Sequence, residues 1–246
     1  MTSDLTKAIW TTVFPPSWQG NVPPGIMLTF DDCFIDEWYE LLPLFKNYDT
    51  KATFFVSKPW SMDDKQLVKL AEISHAGHEI GVHGWQHLNA PEYVRNHSLQ
   101  VYIEQEIIPS KEFFQKAGIP APSFAYPYGK RNSQLDMELL KHFRVLRGTA
   151  WTPGFLSARK VAKAFVKKKK PALIFGIGID NGYANSDADL LQAMDTARQT
   201  NSVLVLYAHR PTDAPGKFHV PPSRIEMILS QAKSLGLKSY TATAFS

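Results

Sequence analysis

The stretch Gly25-Ile26-Met27-Leu28-Thr29-Phe30 runs apolar almost without interruption and then ends in two carboxylates, Asp31 and Asp32. A strand that is apolar on both faces must be buried on both faces, a condition met by parallel sheets covered with helices. Similar runs follow at Ala52–Val56, Glu79–Val82, Ser123–Tyr126, Arg144–Arg147, Ala172–Ile179, Val203–Tyr207 and Ser239–Ala244. Between them lie segments of helical spacing: Trp38, Leu41, Leu42 and Phe45 with Pro43 limiting regularity, then Leu67, Leu70 and Ala71, then Ser98–Ala117, Ala188–Arg198 and Ser223–Leu235. Strands alternating with helices predict a parallel α/β sheet, and about seven of them in one chain predict a distorted (β/α) barrel.

Local signals set the expected boundaries. Ser61 with Asp64 three residues on predicts a capping box, Gly77 and Gly118 predict helix stops, and Pro109 predicts a kink in the long helix. Residues 1–24, with Pro15, Pro16, Pro23 and Pro24 among Trp10 and Trp18, read as an irregular N-terminal arm, and 25–246 as one domain. A length of 246 residues suits a single barrel.

Composition narrows the function classes. The net charge of +4 owes much to one run, Lys167–Lys170, which no aromatic residues interleave as a nucleic-acid stacking surface would require. No stretch approaches the ~18 unbroken apolar residues of a transmembrane helix. The single cysteine, Cys33, excludes an intramolecular disulfide and is expected to be a small buried residue. Met1–Lys7 has no apolar signal region, which fits a cytoplasmic protein or an exported one whose signal has been removed.

Barrel enzymes place their chemistry at the C-terminal ends of strands. Five such ends here carry polar candidates: Asp31 and Asp32, His83 with His87, the turn Tyr126-Pro127-Tyr128-Gly129, Asp180, and His209. His83 and His87 are four apart and converge either on a helix face or across an irregular turn. With Asp32 they form a His-His-carboxylate set that leaves positions on a divalent ion open for water and substrate. Trp85 between them either lines a cleft or packs, and Phe34, Tyr128, Trp151 and Tyr183 are candidates to stack on sugar rings. His75, His78, His97, His142 and His219 lack partners in motif spacing and read as surface or packing residues.

These residues resemble, in order, the motifs of the polysaccharide deacetylases that share the chitooligosaccharide deacetylase (NodB) homology domain, carbohydrate esterase family 4. Thr29-Phe30-Asp31-Asp32 is similar to the first motif and His83-Gly84-Trp85-Gln86-His87 to the second, with Gly84 where the family usually has Ser or Thr. Ala125-Tyr126-Pro127-Tyr128-Gly129 resembles the third, Ile179-Asp180 the fourth, and Leu204-Val205-Leu206-Tyr207-Ala208-His209 the fifth. The resemblance implies Asp31 as general base, Asp32, His83 and His87 as metal ligands, His209 as general acid with Asp180 orienting it, and the Tyr128 backbone N–H as an oxyanion donor. It implies a divalent metal, Zn²⁺ before Co²⁺, Ni²⁺ or Mn²⁺, and an acetylated carbohydrate as substrate. One departure stands out: the family's third motif usually begins with an arginine that pairs with the base, and Ala125 leaves Asp31 with no visible partner.

The expected function is therefore removal of acetyl groups from N-acetylated carbohydrate. The alternatives on the same fold are an O-acetyl esterase or a small-molecule amidase, because acyl chemistry is shared and groove loops discriminate. A catalytically inactive carbohydrate-binding protein is the alternative from another class.

Overall fold

The structure is a computed structural model, which describes residues 20–150 and 161–244. The proline- and tryptophan-rich part of the expected N-terminal arm (Trp10, Pro15, Pro16, Trp18) and Trp151 lie outside the described residues.

The first eight strands are β1 (Gly25–Asp32), β2 (Ala52–Val56), β3 (Glu79–Val82), β4 (Ser123–Ala125), β5 (Val145–Thr149), β6 (Phe165–Val166), β7 (Leu173–Gly178) and β8 (Val203–Ala208). Seven of them pair in parallel in the order β1-β2-β3-β4-β5-β7-β8, and β8 returns to β1 over Gly25–Phe30, closing the barrel. Closure explains the uninterrupted apolar run of β1: its residues meet side chains on both faces.

The two faces carry different loads. Alternation sends Ile26, Leu28 and Phe30 outward into the main core under the helices, and Met27 inward to a smaller lumen cluster with Phe55, Ala125, Val145, Ile174, Val203 and Val205. Outside the barrel, Phe54 stacks on Phe30 at 5.2 Å between ring centroids and lies 5.2 Å from Trp38 and 6.3 Å from Phe45. The outer core is built around these rings.

Most expected elements are present, and the differences have local causes. Pro43 divides the first helical segment into α1 (Ile35–Glu40) and α2 (Leu42–Asn47). The capping box of α3 (Asp64–His75) uses Asp63 and Gln66, not Ser61 and Asp64; Ser61 closes a preceding 3-10 turn, its hydroxyl donating to the Lys58 carbonyl. The long helix is three pieces, α5 (Leu99–Tyr102), a π-helical turn at Ile103–Ile107, and α6 (Ile108–Lys116), so the ladder is disturbed one turn before Pro109. A seven-residue helix, α4 (Ala90–Asn96), precedes it. The final strand is only Lys238–Ser239: it pairs with Gly25 and Ile26, the part of β1 that β2 does not cover, and residues 240–244 leave the sheet.

Phe54→Ala removes a fully buried ring at the centre of this cluster and is expected to cost about 3–5 kcal/mol of unfolding free energy. Equilibrium urea unfolding measures it, and a loss below about 1 kcal/mol would contradict this account of the core.

Candidate metal centre and active site

Alternation at the top of β1 sends the adjacent aspartates different ways. Asp31 follows Met27 into the lumen and is 3% exposed, whereas Asp32 stands on the rim with a positive φ of 84°. The tops of the neighbouring strands are fixed by Ser57 N–H donating to the Asp32 carbonyl at 2.8 Å and His83 N–H to the Val56 carbonyl at 2.8 Å.

His83 and His87 converge across an irregular turn, not a helix, with left-handed backbone at Gly84 (φ 91°) and His87 (φ 64°). The imidazole nitrogens His83 Nε2 and His87 Nε2 are 3.2 Å apart, and Asp32 Oδ1 lies 3.8 Å and 3.4 Å from them. A tetrahedral ion with bonds of about 2.0–2.2 Å needs donor atoms roughly 3.3 Å apart. The triangle fits such an ion. His83 Nδ1 lies 2.8 Å from the Ala125 carbonyl, which only a protonated Nδ1 can use, so Nε2 carries the free lone pair. Burial also pushes the His83 pKa down to about 3, and burial lowers that of His87, keeping both imidazoles in the neutral, ligating form.

Cys33 is not part of this cluster. Burial pushes its thiol up to about 11, and it packs against the outer core while staying only half-buried, short of the full burial expected of it.

The partner that Ala125 cannot give Asp31 comes from β5, the strand beside β4. Arg147 Nη2 donates to both carboxylate oxygens of Asp31. Arg147 is fully buried in β5, where its Cα partner in β4 is Ala125. Arg147 thus stands one strand over from Ala125, at the same level of the lumen. The guanidinium also lies 5.4 Å from the Phe55 ring centroid and 5.1 Å from that of Tyr207. Burial alone would raise the Asp31 pKa; the charge of Arg147 reverses this, aided by His83 and His209, and holds the carboxyl below the usual range. For Asp32 burial prevails, with the charge of Asp31 adding to it, and the pKa is raised.

His209 follows β8 and is held from behind by Asp180. Asp180 Oδ1 accepts from the His209 backbone N–H at 3.0 Å and Oδ2 from Nδ1 at 2.6 Å. Burial opposes the imidazolium, but Asp180, Asp31 and Asp32 outweigh it and raise the His209 pKa. Across the rim, Tyr128 and Gly129 are both left-handed (φ 58° and 64°), and a Cβ on Gly129 would meet Thr149 Oγ1 at 2.1 Å. The Tyr126 hydroxyl and Arg131 both bind Asp136, clamping the turn from below.

Asp31, Asp32, His83, His87, Tyr128 and His209 thus line one cavity of about 500 Å³, while Asp180 sits behind His209. Tyr128 and Phe218 flank it, 63% and 54% exposed, with rings 4.7 Å from His87 and 5.1 Å from His209. Tyr183 lines it too, but Phe34 packs against Trp38 and Arg210, and Trp85 against Phe113. Sequence reasoning missed Arg147 and Phe218. The signal for Arg147 was a lone cation in a buried strand; Phe218 lies in a loop whose course no pattern predicts.

The polysaccharide deacetylase profile matches residues 20–143, half of the chain. The chain is 26% identical over 157 residues to the uncharacterized protein YlxY of Bacillus subtilis (63% of this chain, 46% of that one). It is 44% identical over 64 residues to the putative polysaccharide deacetylase YheN of the same organism (26% of this chain, 22% of that one). It therefore spans less than half the length of these curated relatives. Among solved structures, it superimposes on peptidoglycan deacetylase PdaC of B. subtilis with a TM-score of 0.57 (16% identity, 91% and 90% of the two chains). The catalytic domain of a peptidoglycan N-acetylglucosamine deacetylase from Eubacterium rectale gives 0.56 (18% identity, 93% of each chain). A CE4 family pseudoenzyme from Bacillus anthracis gives 0.55 (16% identity, 91% and 65%). The structural likenesses show the shared barrel, and the profile match shows the lineage: the chain belongs to the polysaccharide deacetylase family.

Proposed function

We propose that the protein is a metal-dependent hydrolase that removes acetyl groups from N-acetylated carbohydrate. The observation that carries this reading is the pairing of a metal-spaced donor triangle, Asp32, His83 and His87, with a second carboxylate, Asp31, kept ionised by its own buried arginine.

Asp32 Oδ1, His83 Nε2 and His87 Nε2 would hold the ion, and imidazole-carboxylate chemistry favours Zn²⁺. When bound, it supplies a Lewis acid that acidifies a water and polarises the acetyl carbonyl. Asp31 takes the proton from the attacking water; paired to Arg147, it is ionised at neutral pH. The backbone N–H of Tyr128, in its left-handed turn, donates to the oxyanion as the water oxygen bonds to the carbonyl carbon. His209, with Nδ1 engaged by Asp180, gives its Nε2 proton to the amine nitrogen as the C–N bond breaks, releasing acetate and the free amine. Tyr128 and Phe218 offer rings on which the sugar's apolar face can stack.

The presence of a pseudoenzyme among the structural neighbours motivates the inactive-binding alternative. Against it stands the retention here of base, ligands and acid around one cavity, with the missing motif arginine supplied from β5. Acetate release from a panel of N-acetylated and O-acetylated oligosaccharides and small amides tests the reading and separates the two acyl chemistries.

Asp32→Ala and His87→Ala are expected to lose bound metal after dialysis, whereas Asp31→Asn keeps the metal and loses roughly 10²–10⁴-fold in turnover. Equal metal loss in all three would make Asp31 a ligand and overturn the division of roles. Arg147→Ala leaves a buried, unpaired carboxylate and is expected to cost about 3–5 kcal/mol of stability, along with most activity. Adding Ala125→Arg to Arg147→Ala should recover part of both, and a double variant no better than the single would show that position 125 cannot reach Asp31.

The acid role has a pH signature. The His209 pKa is raised, so the protonated acid is lost only as pH climbs through that elevated value. Asp180→Asn removes the main stabilising partner, lowers that pKa, and should shift the alkaline limb of the kcat/KM profile to lower pH. A limb left in place would exclude His209 as the group that titrates there.

A further inference from the structure

The turn that presents the two histidines cannot satisfy its own backbone. Left-handed bends at Gly84 (φ 91°) and His87 (φ 64°) break any helical ladder, so successive N–H groups face outward from the turn. Three of them meet one residue, Glu106. Its carboxylate accepts from Gln86 N–H through Oε2 at 2.6 Å and from Leu88 N–H through Oε1 at 2.7 Å, and its main-chain carbonyl accepts from Trp85 N–H at 3.2 Å.

Glu106 is itself completely buried, although the other glutamates of the same helix, Glu104 and Glu112, face solvent. It sits in the π-helical turn Ile103–Ile107. A π turn widens the helix locally, and its carbonyl serves donors besides the helix ladder, here Trp85 N–H and the Ser110 hydroxyl at 2.8 Å. Space is made on the other side as well. A Cβ on Gly84 would lie 2.7 Å from Glu106 Oε1, so the absence of a side chain at Gly84 is what admits the carboxylate.

We propose that Glu106 is a positioning residue for the metal centre: its carboxylate, seated among the N–H groups of residues 86–88, sets where His87 Nε2 stands relative to His83 and Asp32. The inference rests on the metal-centre reading of that site. His87 lies between the two residues whose N–H groups the carboxylate fixes, so the imidazole has its backbone tethered on both sides. Loss of the tether leaves the three ligands chemically intact and costs affinity by letting one of them stray. Outer-shell partners of metal ligands typically account for 10–100-fold in metal affinity.

The test uses the full chain and its Glu106→Ala, Glu106→Asp and Glu106→Gln variants. Zn²⁺ affinity is read by competition with a chromophoric chelator, the melting temperature on the metal-stripped proteins, and amide hydrogen exchange at Gln86 and Leu88. Ala and Asp, the latter charged but too short to reach both N–H groups, are expected to weaken Zn²⁺ binding 10–100-fold and to speed exchange at the two amides. Gln, which keeps one acceptor oxygen, should fall between them and the parent, and it serves where Ala fails to fold. A lowered melting temperature with unchanged Zn²⁺ affinity would mark a merely structural residue and overturn the proposal, as would Asp binding Zn²⁺ like the parent. If the parent itself takes up no Zn²⁺, the metal-centre reading fails and the exchange data decide alone: faster exchange at Gln86 and Leu88 in the variants upholds the tether, and unchanged exchange overturns it.

Discussion

The ion pair between Asp31 and Arg147 inside the barrel is the contact on which the rest of the site depends. Taking two charges out of water costs several kcal/mol each, and only close pairing within the low-dielectric interior offsets it. Arg147 has little else to bind: its Nε and Nη1 make no hydrogen bond among the described residues, and its remaining neighbours include the rings of Phe55 and Tyr207. The pair therefore holds the lumen to one arrangement. If β4 and β5 slipped by one residue, Arg147 would no longer stand beside Ala125, and the larger Phe124 or Tyr126 would take that place.

The same pair separates two residues that the chain makes neighbours. Asp31 and Asp32 share a peptide bond and an ordinary carboxyl pKa, yet the first is driven down by a guanidinium and the second is raised by burial and by the first. A carboxylate engaged on one side by arginine stays ionised at neutral pH at the expense of some basicity, and the arginine occupies lone pairs that an ion would otherwise use. Asp32, free of that engagement and turned onto the rim by its positive φ, is the one that faces the histidines.

Much of this was legible in the sequence because strand ends are. An apolar run that stops at Asp31-Asp32, another that stops at His83, and a third that stops at His209 specify a common rim once the strands are parallel. What escaped was lateral. Arg147 belongs to no motif with Asp31 and is 116 residues away, and only the β4–β5 register places it beside Ala125. Glu106 escaped for a similar reason: helical periodicity marks a core-facing position but does not say that the core there is a set of backbone N–H groups. The capping residue of α3 and the end of the last strand were misread because Ser61 and residues 240–244 carry the right residue types in places where competing turns win.

The rim and the lumen divide the physical burden differently. In the lumen the site is held by charge and register. On the rim it is held by backbone conformations that most residues avoid: Asp32, Gly84, His87, Tyr128 and Gly129 all have positive φ. The three that carry a side chain, Asp32, His87 and Tyr128, persist there only because their surroundings over-determine them, and each is tied down by something outside its own loop. Asp32 is bounded by Ser57 N–H on its carbonyl, His87 by the Glu106 tether on either side, and the Tyr128 turn by Tyr126 and Arg131 converging on Asp136. A donor triangle built on such loops can still be rigid, because fixed partners in the helices and strands behind it hold the backbone in place. That arrangement keeps the three donor atoms at a metal-ready spacing although two of their residues, Asp32 and His87, stand at positive φ.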